Sequence, residues 1–368
     1  MPAAAPSDAK AVRRPIRVLV VDDSTVVRTL VSSWIEAEAG FELAGVAADG
    51  AEAVRVLGGI DADVCILDLD MPVMGGMDAI PRLLRLRPEL KILVASRLVE
   101  RGQEAGLKAV AAGAADYLAK PAASRPGGAD WFRRELLTRA RALAQAAAAP
   151  VPRRATPAPD GRAPPRPRSL QSLREPPELF AVAASTGGPP VLRELLLGLE
   201  APLAQPVVIV QHMPAAFIEL LAAQLTKGSN IPVAVARDGE TLRPGGVWLA
   251  PGDHHLRVER REGRLVAALD QSPPENFCRP AADVLFRSAA KVCGARSVAV
   301  VLTGMGRDGW AGASAISSAG GVILAQDEGS SVVWGMPGAV VGSGLASLVG
   351  PVDRLAAAVR RLSLGDPP

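Results

Sequence analysis

The sequence predicts an α/β protein of two domains, each built on a parallel sheet, with an unfolded linker between them. Three observations lead there. Short aliphatic runs alternate with helical stretches from Ile16 to about residue 149. A segment dense in Pro and Arg then breaks the pattern, and the same alternation resumes at Glu178. Strands that alternate with helices run parallel, because a parallel pair needs a long crossover and a helix supplies it. The resulting sheets are covered on both faces, so their strands read as continuous apolar runs. The full chain of 368 residues is long enough for two such cores.

The elements follow in order. IRVLVVDD is a strand ending in two acids, followed by a helix from about Thr25 to Ala39. LAGVAAD is a second strand, GAEAVRVLGG a helix and DVCILDLD a third strand. A helix runs from Gly76 to about Leu86, then come the strand KILVAS, a helix over Glu104–Ala112, the strand DYLAK and a last helix from about Ala129. PVPRRATPAPDGRAPPRPRSLQSLREPP contains no core-forming run and reads as an extended, semi-rigid linker. Beyond it, ELFAVAAS, PVVIVQHM, GVWLAPG, SVAVVLTGMG and GVILAQ read as strands, with shorter ones around Leu256 and Val266. PPVLRELLLGL, a stretch over Phe217–Leu225, RPAADVLFRSAAKVC and GWAGASAISSAG read as helices. The expected boundaries are a disordered leader over 1–15, a first domain over 16–149, a linker over 150–177 and a second domain over 178–365.

Composition excludes several classes. The formal charge is only +3, which makes no global case for nucleic-acid binding. Aromatic residues are 3% of the chain, so the cores must be aliphatic. The first fifteen residues lack the continuous apolar segment of a secretory signal, and no stretch reaches a transmembrane length free of Pro, Gly or charge. The expectation is a soluble, cytoplasmic protein without membrane insertion. Of the three cysteines, Cys65 and Cys293 sit in or beside apolar runs as buried thiols do, and no C-x-x-C pair argues for zinc.

In the first domain, polar residues gather at strand ends. Asp22 and Asp23 end the first strand, Asp68 the third, and Ser96 and Lys120 the fourth and fifth. The carboxyl ends of parallel strands face one edge of the sheet, where ligands bind. Three carboxylates collected there repel one another unless a cation lies between them, and an all-oxygen donor set suits Mg2+. Any one acid at a strand end merely solvates a turn; five polar residues at matching ends do not. This pattern closely resembles the response-regulator receiver domain. The resemblance implies a flavodoxin-like fold, Asp68 as phosphoacceptor, Mg2+ held by Asp22, Asp23 and Asp68, Lys120 against the phosphate, Ser96 as switch hydroxyl and Tyr117 as switch aromatic. Gly75 and Arg97 depart from the usual receiver pattern, which puts the phosphorylation kinetics in question and leaves the chemical groups intact.

In the second domain, Ser185 follows the strand AVAA and precedes Thr-Gly-Gly-Pro-Pro, at a strand-to-helix turn. The helix N-terminus there favours negative charge, and backbone N–H groups at Thr186 or Gly187 are available to an oxyanion. An N-cap serine explains the position equally well. His212 follows the strand VVIVQ; the other two histidines, His254 and His255, are adjacent and face opposite ways on a strand. Asp308, in the glycine-rich GMGRDG after a buried strand, is suited either to accept the imidazole N–H of His212 or to cap the next helix. Asp253 and Asp283 are weaker rivals for that place. The order Ser…His…Asp is not that of α/β-hydrolases, and AASTG is not their nucleophile elbow. Residue chemistry alone leaves a serine hydrolase and a set of capping residues both open.

AASTGGPP, QHMP, APGDHHL, RPAADVLF, LTGMGRDG and AQDEGSSVVWGMP resemble the catalytic domain of the chemotaxis protein-glutamate methylesterases across nearly all of 180–340. The order of receiver, linker and esterase also resembles that family. The likeness implies Ser185 as nucleophile, His212 as base, Asp308 as its orienter, and oxyanion support at Thr186 and Met305. Ala183 and Gly338-Ala339 depart slightly from the family pattern and remove no catalytic group. It implies hydrolysis of glutamate methyl esters and deamidation of glutamines on methyl-accepting chemoreceptors, switched on through Asp68 by a chemotaxis histidine kinase. A non-catalytic adaptor or phosphate sink is the rival reading. A DNA-binding regulator is a poorer one, because no helix-turn-helix pattern follows the linker.

Overall fold

The computed structural model describes residues 14–97, 100–121, 128–148, 175–201, 203–229 and 231–366. Most of the expected leader and linker therefore lies outside the described residues, as does the side chain of Arg97. The first domain runs β1 (Ile16–Val21), α1 (Thr25–Ala37), β2 (Phe41–Ala47), α2 (Gly50–Gly59), β3 (Val64–Leu67), α3 (Gly76–Leu86), β4 (Lys91–Arg97), α4 (Glu100–Ala111), β5 (Asp116–Lys120) and α5 (Gly128–Ala148). Its five strands pair in the order β2-β1-β3-β4-β5, all parallel. Side-chain caps start the early helices. Ser24 accepts from the Val27 N–H at the head of α1, and Asp49 accepts from both Ala51 and Glu52 at the head of α2. Each such cap contributes about 1 kcal/mol by satisfying a donor the helix cannot. Gly75, one of the departures noted above, is the N-cap of α3 and supplies no such side chain.

The second domain carries β6 (Leu179–Ala184), α6 (Gly188–Gly198), β7 (Val207–Gln211), α7 (Ala215–Ser229), β8 (Val233–Val235), β9 (Val247–Leu249), β10 (His255–Arg261), β11 (Arg264–Asp270), α8 (Ala282–Cys293), β12 (Ser297–Val301), α9 (Trp310–Ser318), β13 (Val322–Gln326), α10 (Met336–Gly342), β14 (Leu348–Gly350) and α11 (Val352–Ser363). Seven strands form a parallel sheet in the order β14-β13-β12-β6-β7-β9-β8, while β10 and β11 make a separate antiparallel hairpin. Aliphatic side chains fill both faces, with Phe180, Phe217 and Phe286 the largest fully buried ones. Burying each phenylalanine contributes about 1.5–3 kcal/mol.

The sequence reading misses β8, β14, α10 and α11. Two of these are three-residue edge strands, too short to show a period, and α10 is a two-turn helix carrying Pro337. No helix among the described residues is long and apolar enough to cross a membrane.

Candidate active site

Strand order decides which loops meet. β6 lies between β12 and β7, so the loops leaving those three strands are neighbours at one sheet edge. They carry Ser185, His212 and Asp308. His212 Nε2 lies 2.8 Å from Asp308 Oδ2, and Asp308 is 2% exposed. Asp308 is held by more than the ring. Its oxygens accept from the backbone N–H groups of Ala282 (2.6 Å), Asp283 (3.0 Å) and Gly309 (3.0 Å), and from the side-chain amide of Asn276 (3.0 Å). Burial pushes the Asp308 carboxyl up, but His212 and these N–H donors outweigh it and hold the group below its ordinary value. Burial likewise opposes a charge on His212, yet the Asp308 hydrogen bond and the contact with Cys278 prevail and push the ring up to about 10.

With Nε2 given to Asp308, Nδ1 is the nitrogen left for a nucleophile. It faces Cys278 Sγ at 3.7 Å, and the hydrogen bonds among the described residues include none between Ser185 and His212 side chains. Ser185 and His212 nevertheless line one cavity of about 80 Å³. Gln211 fastens the two together from behind, its side-chain amide donating to the carbonyls of Ser185 (2.9 Å) and His212 (3.3 Å). Gly304 must be a glycine, because a Cβ there would stand 2.8 Å from Ser185 Cβ and also strike Met336. The backbone N–H groups of Thr186 and Met305 make no hydrogen bond among the described residues, so both are free to face an oxyanion.

The rival acids and histidines have other roles. Asp283 sits behind Asp308, accepting from Gly312 N–H and from the same Asn276 amide. Asp253 pairs with Arg279. His255 is fully buried, its Nδ1 accepting from Ala281 N–H and its Nε2 against the Pro273 carbonyl, which makes it structural. His254 Nδ1 lies 3.3 Å from the Gly252 carbonyl.

The first domain presents its own cluster and also covers the second. Lys120 Nζ reaches Asp22 Oδ2 at 2.6 Å and Asp68 Oδ2 at 3.0 Å, and carboxylate oxygens of Asp22, Asp23 and Asp68 converge within 4.8 Å of one another. Burial pushes the Asp68 carboxyl up, against the pull of Lys120. Ser96 Oγ and Tyr117 Oη are buried with no hydrogen-bond partner among the described residues, and burial pushes the Tyr117 phenol up to about 12. The Tyr117 ring packs on Phe217 of the second domain, centroids 4.9 Å apart. Thr186 Oγ1 donates to Asp116 Oδ2, and Met305, Val332 and Val333 pack into the first domain's core. Asp116, Tyr117 and Arg139 thereby wall the cavity that holds Ser185 and His212.

Residues 180–359 match the CheB methylesterase domain family, and residues 18–126 the response regulator receiver domain family. A protein-glutamate methylesterase/protein-glutamine glutaminase of Caulobacter vibrioides is 48% identical, covering 92% of this chain and 96% of its own length. The chain belongs to the CheB methylesterase family. A relative of the same description in Azospirillum brasilense is 42% identical, over 95% of this chain and 93% of its own. The CheB methylesterase catalytic domain of Thermotoga maritima, a solved structure, is 37% identical over 50% of this chain and 98% of its own, with a TM-score of 0.49. The Caulobacter and Azospirillum relatives bear the names of enzymes, which disfavours the non-catalytic adaptor. Relative to this CheB-type framework, the sequence reading overlooks Gln211, Asn276 and Cys278. Gln211 stood inside a recognised segment, QHMP, but Asn276 and Cys278 come from a loop that carries no periodic or spacing signal.

Proposed function

We propose that residues 178–365 hydrolyse glutamate methyl esters on chemoreceptors through Ser185, His212 and Asp308, and that residues 16–149 govern access to them across the 150–177 connection. His212 accepts the Ser185 proton at Nδ1 as Oγ attacks the γ-ester carbonyl, while Asp308 at Nε2 holds the ring and stabilises its positive charge. The Thr186 and Met305 N–H groups are directed to the oxyanion. Methanol leaves with the proton from His212, and water, activated by the same ring, hydrolyses the acyl-serine to free glutamate. A glutamine side chain would follow the same course, losing ammonia. The observation that carries this reading is the 2.8 Å His212–Asp308 bond beside a cavity that Ser185 shares. Among the described residues no Ser185–His212 side-chain hydrogen bond forms, which fits a covered arrangement in which the first domain walls the cavity.

Regulation follows from the first domain's chemistry. Asp22, Asp23 and Asp68 fit Mg2+, since three carboxylates converge and two of them are buried. Mg2+ bound there would neutralise charge on a phosphoryl group at Asp68. Phosphate on Asp68 offers Lys120 a new partner and Ser96 Oγ the acceptor it lacks. Ordering Ser96 and Tyr117 around that charge draws the Tyr117 ring off Phe217 and loosens the cover. The phosphodonor is a chemotaxis histidine kinase, and the substrate is the cytoplasmic part of a methyl-accepting chemoreceptor, which makes the enzyme cytoplasmic. Methanol release from methylated receptor membranes, with and without a small phosphodonor plus Mg2+, tests the reading. Release that rises with phosphodonor and vanishes in Ser185→Ala supports it; no release from the unaltered chain under any condition, with receptor binding intact, overturns it.

A further inference from the structure

We infer that His212 Nδ1 and Cys278 Sγ form a binding site for a soft divalent cation such as Zn2+, and that its occupancy silences the hydrolase. The two donors lie 3.7 Å apart. Zn–N bonds of about 2.0–2.1 Å and Zn–S bonds of about 2.3 Å meeting near the tetrahedral angle separate their donors by about 3.5 Å. The pair is therefore spaced to bind one ion with almost no movement.

The surroundings suit a cation. Asp308 accepts from the other nitrogen of the same ring, at 2.8 Å. A carboxylate on the far nitrogen of a ligating imidazole fixes its tautomer and raises its basicity, an arrangement shared by many zinc sites. Asp308 is itself locked by three backbone N–H groups and Asn276, so the ring is fixed in the ligating orientation. The neighbouring cations are already paired, Arg279 with Asp253 and Arg287 with Glu275. A thiol with an imidazole selects Zn2+ over Mg2+, whereas the all-oxygen Asp22, Asp23 and Asp68 cluster selects the reverse. Water completes the remaining positions, as expected for a reversible inhibitory ion rather than a structural one.

Silencing has a direct cause. An ion on Nδ1 occupies the nitrogen that must take the Ser185 proton. That consequence rests on the reading of His212 as the base; the binding itself does not. Cys65 and Cys293 do not compete, since both are buried in apolar clusters.

Co2+ alone, added to the full chain in excess Mg2+, tests the site through its thiolate charge-transfer absorption. A saturable band at one equivalent, displaced by Zn2+ and lost in Cys278→Ser, is expected; no band, or an equal band in that variant, overturns the site. Alkylation of Cys278 in the unaltered chain, followed by mass spectrometry, needs no variant. Zn2+ should slow it about tenfold or more, and an unchanged rate also overturns the site. For silencing, the Zn2+ concentration that halves methanol release, normalised to each protein's metal-free rate, should rise about tenfold or more in Cys278→Ser. Equal inhibition of both proteins overturns the silencing. A chain that binds Co2+ through Cys278 yet releases no methanol overturns the hydrolase reading and the silencing, and leaves the site standing.

Discussion

Thr186, the residue after Ser185, donates its hydroxyl proton to Asp116 of the first domain at 2.8 Å. Asp116 is also paired with Arg139 at 2.9 Å, so the acceptor is held in place when Thr186 reaches it. The bond joins β5 of the first domain directly to the turn that carries Ser185. A hydrogen bond to a charged group contributes about 1.5–3 kcal/mol, and partial exposure reduces that. Asp116→Ala should therefore raise methanol release by the unphosphorylated chain several-fold, with a smaller further gain on phosphorylation. An unchanged basal rate would mean that this bond does not hold the cover closed.

Asp308 holds both the His212 ring and three backbone N–H groups, and substitutions should separate its proposed part in the chemistry from its part in the fold. Asp308→Asn keeps an acceptor for the backbone N–H groups but loses the charge facing His212, so activity should fall by about 10²–10⁴-fold with a modest drop in melting temperature. Asp308→Ala additionally orphans the N–H groups of Ala282, Asp283 and Gly309 and should cost about 3 kcal/mol or more. Thermal melts of the two variants check this, and equal melting temperatures would contradict it.

The raised His212 value predicts the direction of two pH dependences. His212 as the proposed base works only when neutral, so the rate should rise with pH through an apparent value above the ordinary 6.5, and Asp308→Asn should bring that value down. For stability the sign is opposite. A folded-state value raised above the unfolded one stabilises fully below about 6.5, and that contribution is lost as pH climbs from there to about 10. Melting temperatures of the unaltered chain relative to His212→Gln should converge across this window; a gap that widens with pH would refute the assignment.

Lys120 lies between two buried carboxylates, with its side chain 11% exposed. Lys120→Ala leaves Asp22 and Asp68 facing each other without compensation, and breaking such a pair costs about 3–5 kcal/mol. Added Mg2+ should restore part of that stability by taking over the neutralising role. Asp68→Ala should retain basal hydrolysis and lose the response to phosphodonor, as should the unaltered chain after chelation of Mg2+. A phosphodonor response that survives in Asp68→Ala would move the phosphoacceptor elsewhere.

Gly304→Ala should cut activity at least about tenfold with little loss of binding, because its methyl group would press on Ser185 and Met336. Receptor pull-down alongside methanol release separates displacement of Ser185 from loss of folding.

Much of this protein is legible in its sequence because the information is local. Alternating aliphatic runs specify parallel strands, and parallel strands deliver whatever follows them to one sheet edge. Asp22, Asp68 and Lys120 converge for that reason, as do Ser185, His212 and Asp308. What no local pattern contains is which side chains meet from distant segments. The three-residue strands β8 and β14 are defined by their neighbours rather than by a period. Cys278 and Asn276 reach His212 and Asp308 only because the loop before α8 comes beside the loops that follow β7 and β12. Thr186 finds Asp116, and Tyr117 finds Phe217, only because two domains dock. The sequence by itself determined the two sheets and the identities of the groups at their edges, since backbone periodicity dictates both. The tertiary structure alone decided the company those groups keep, because contacts between remote segments depend on strand order and domain docking, neither of which any single stretch of chain encodes.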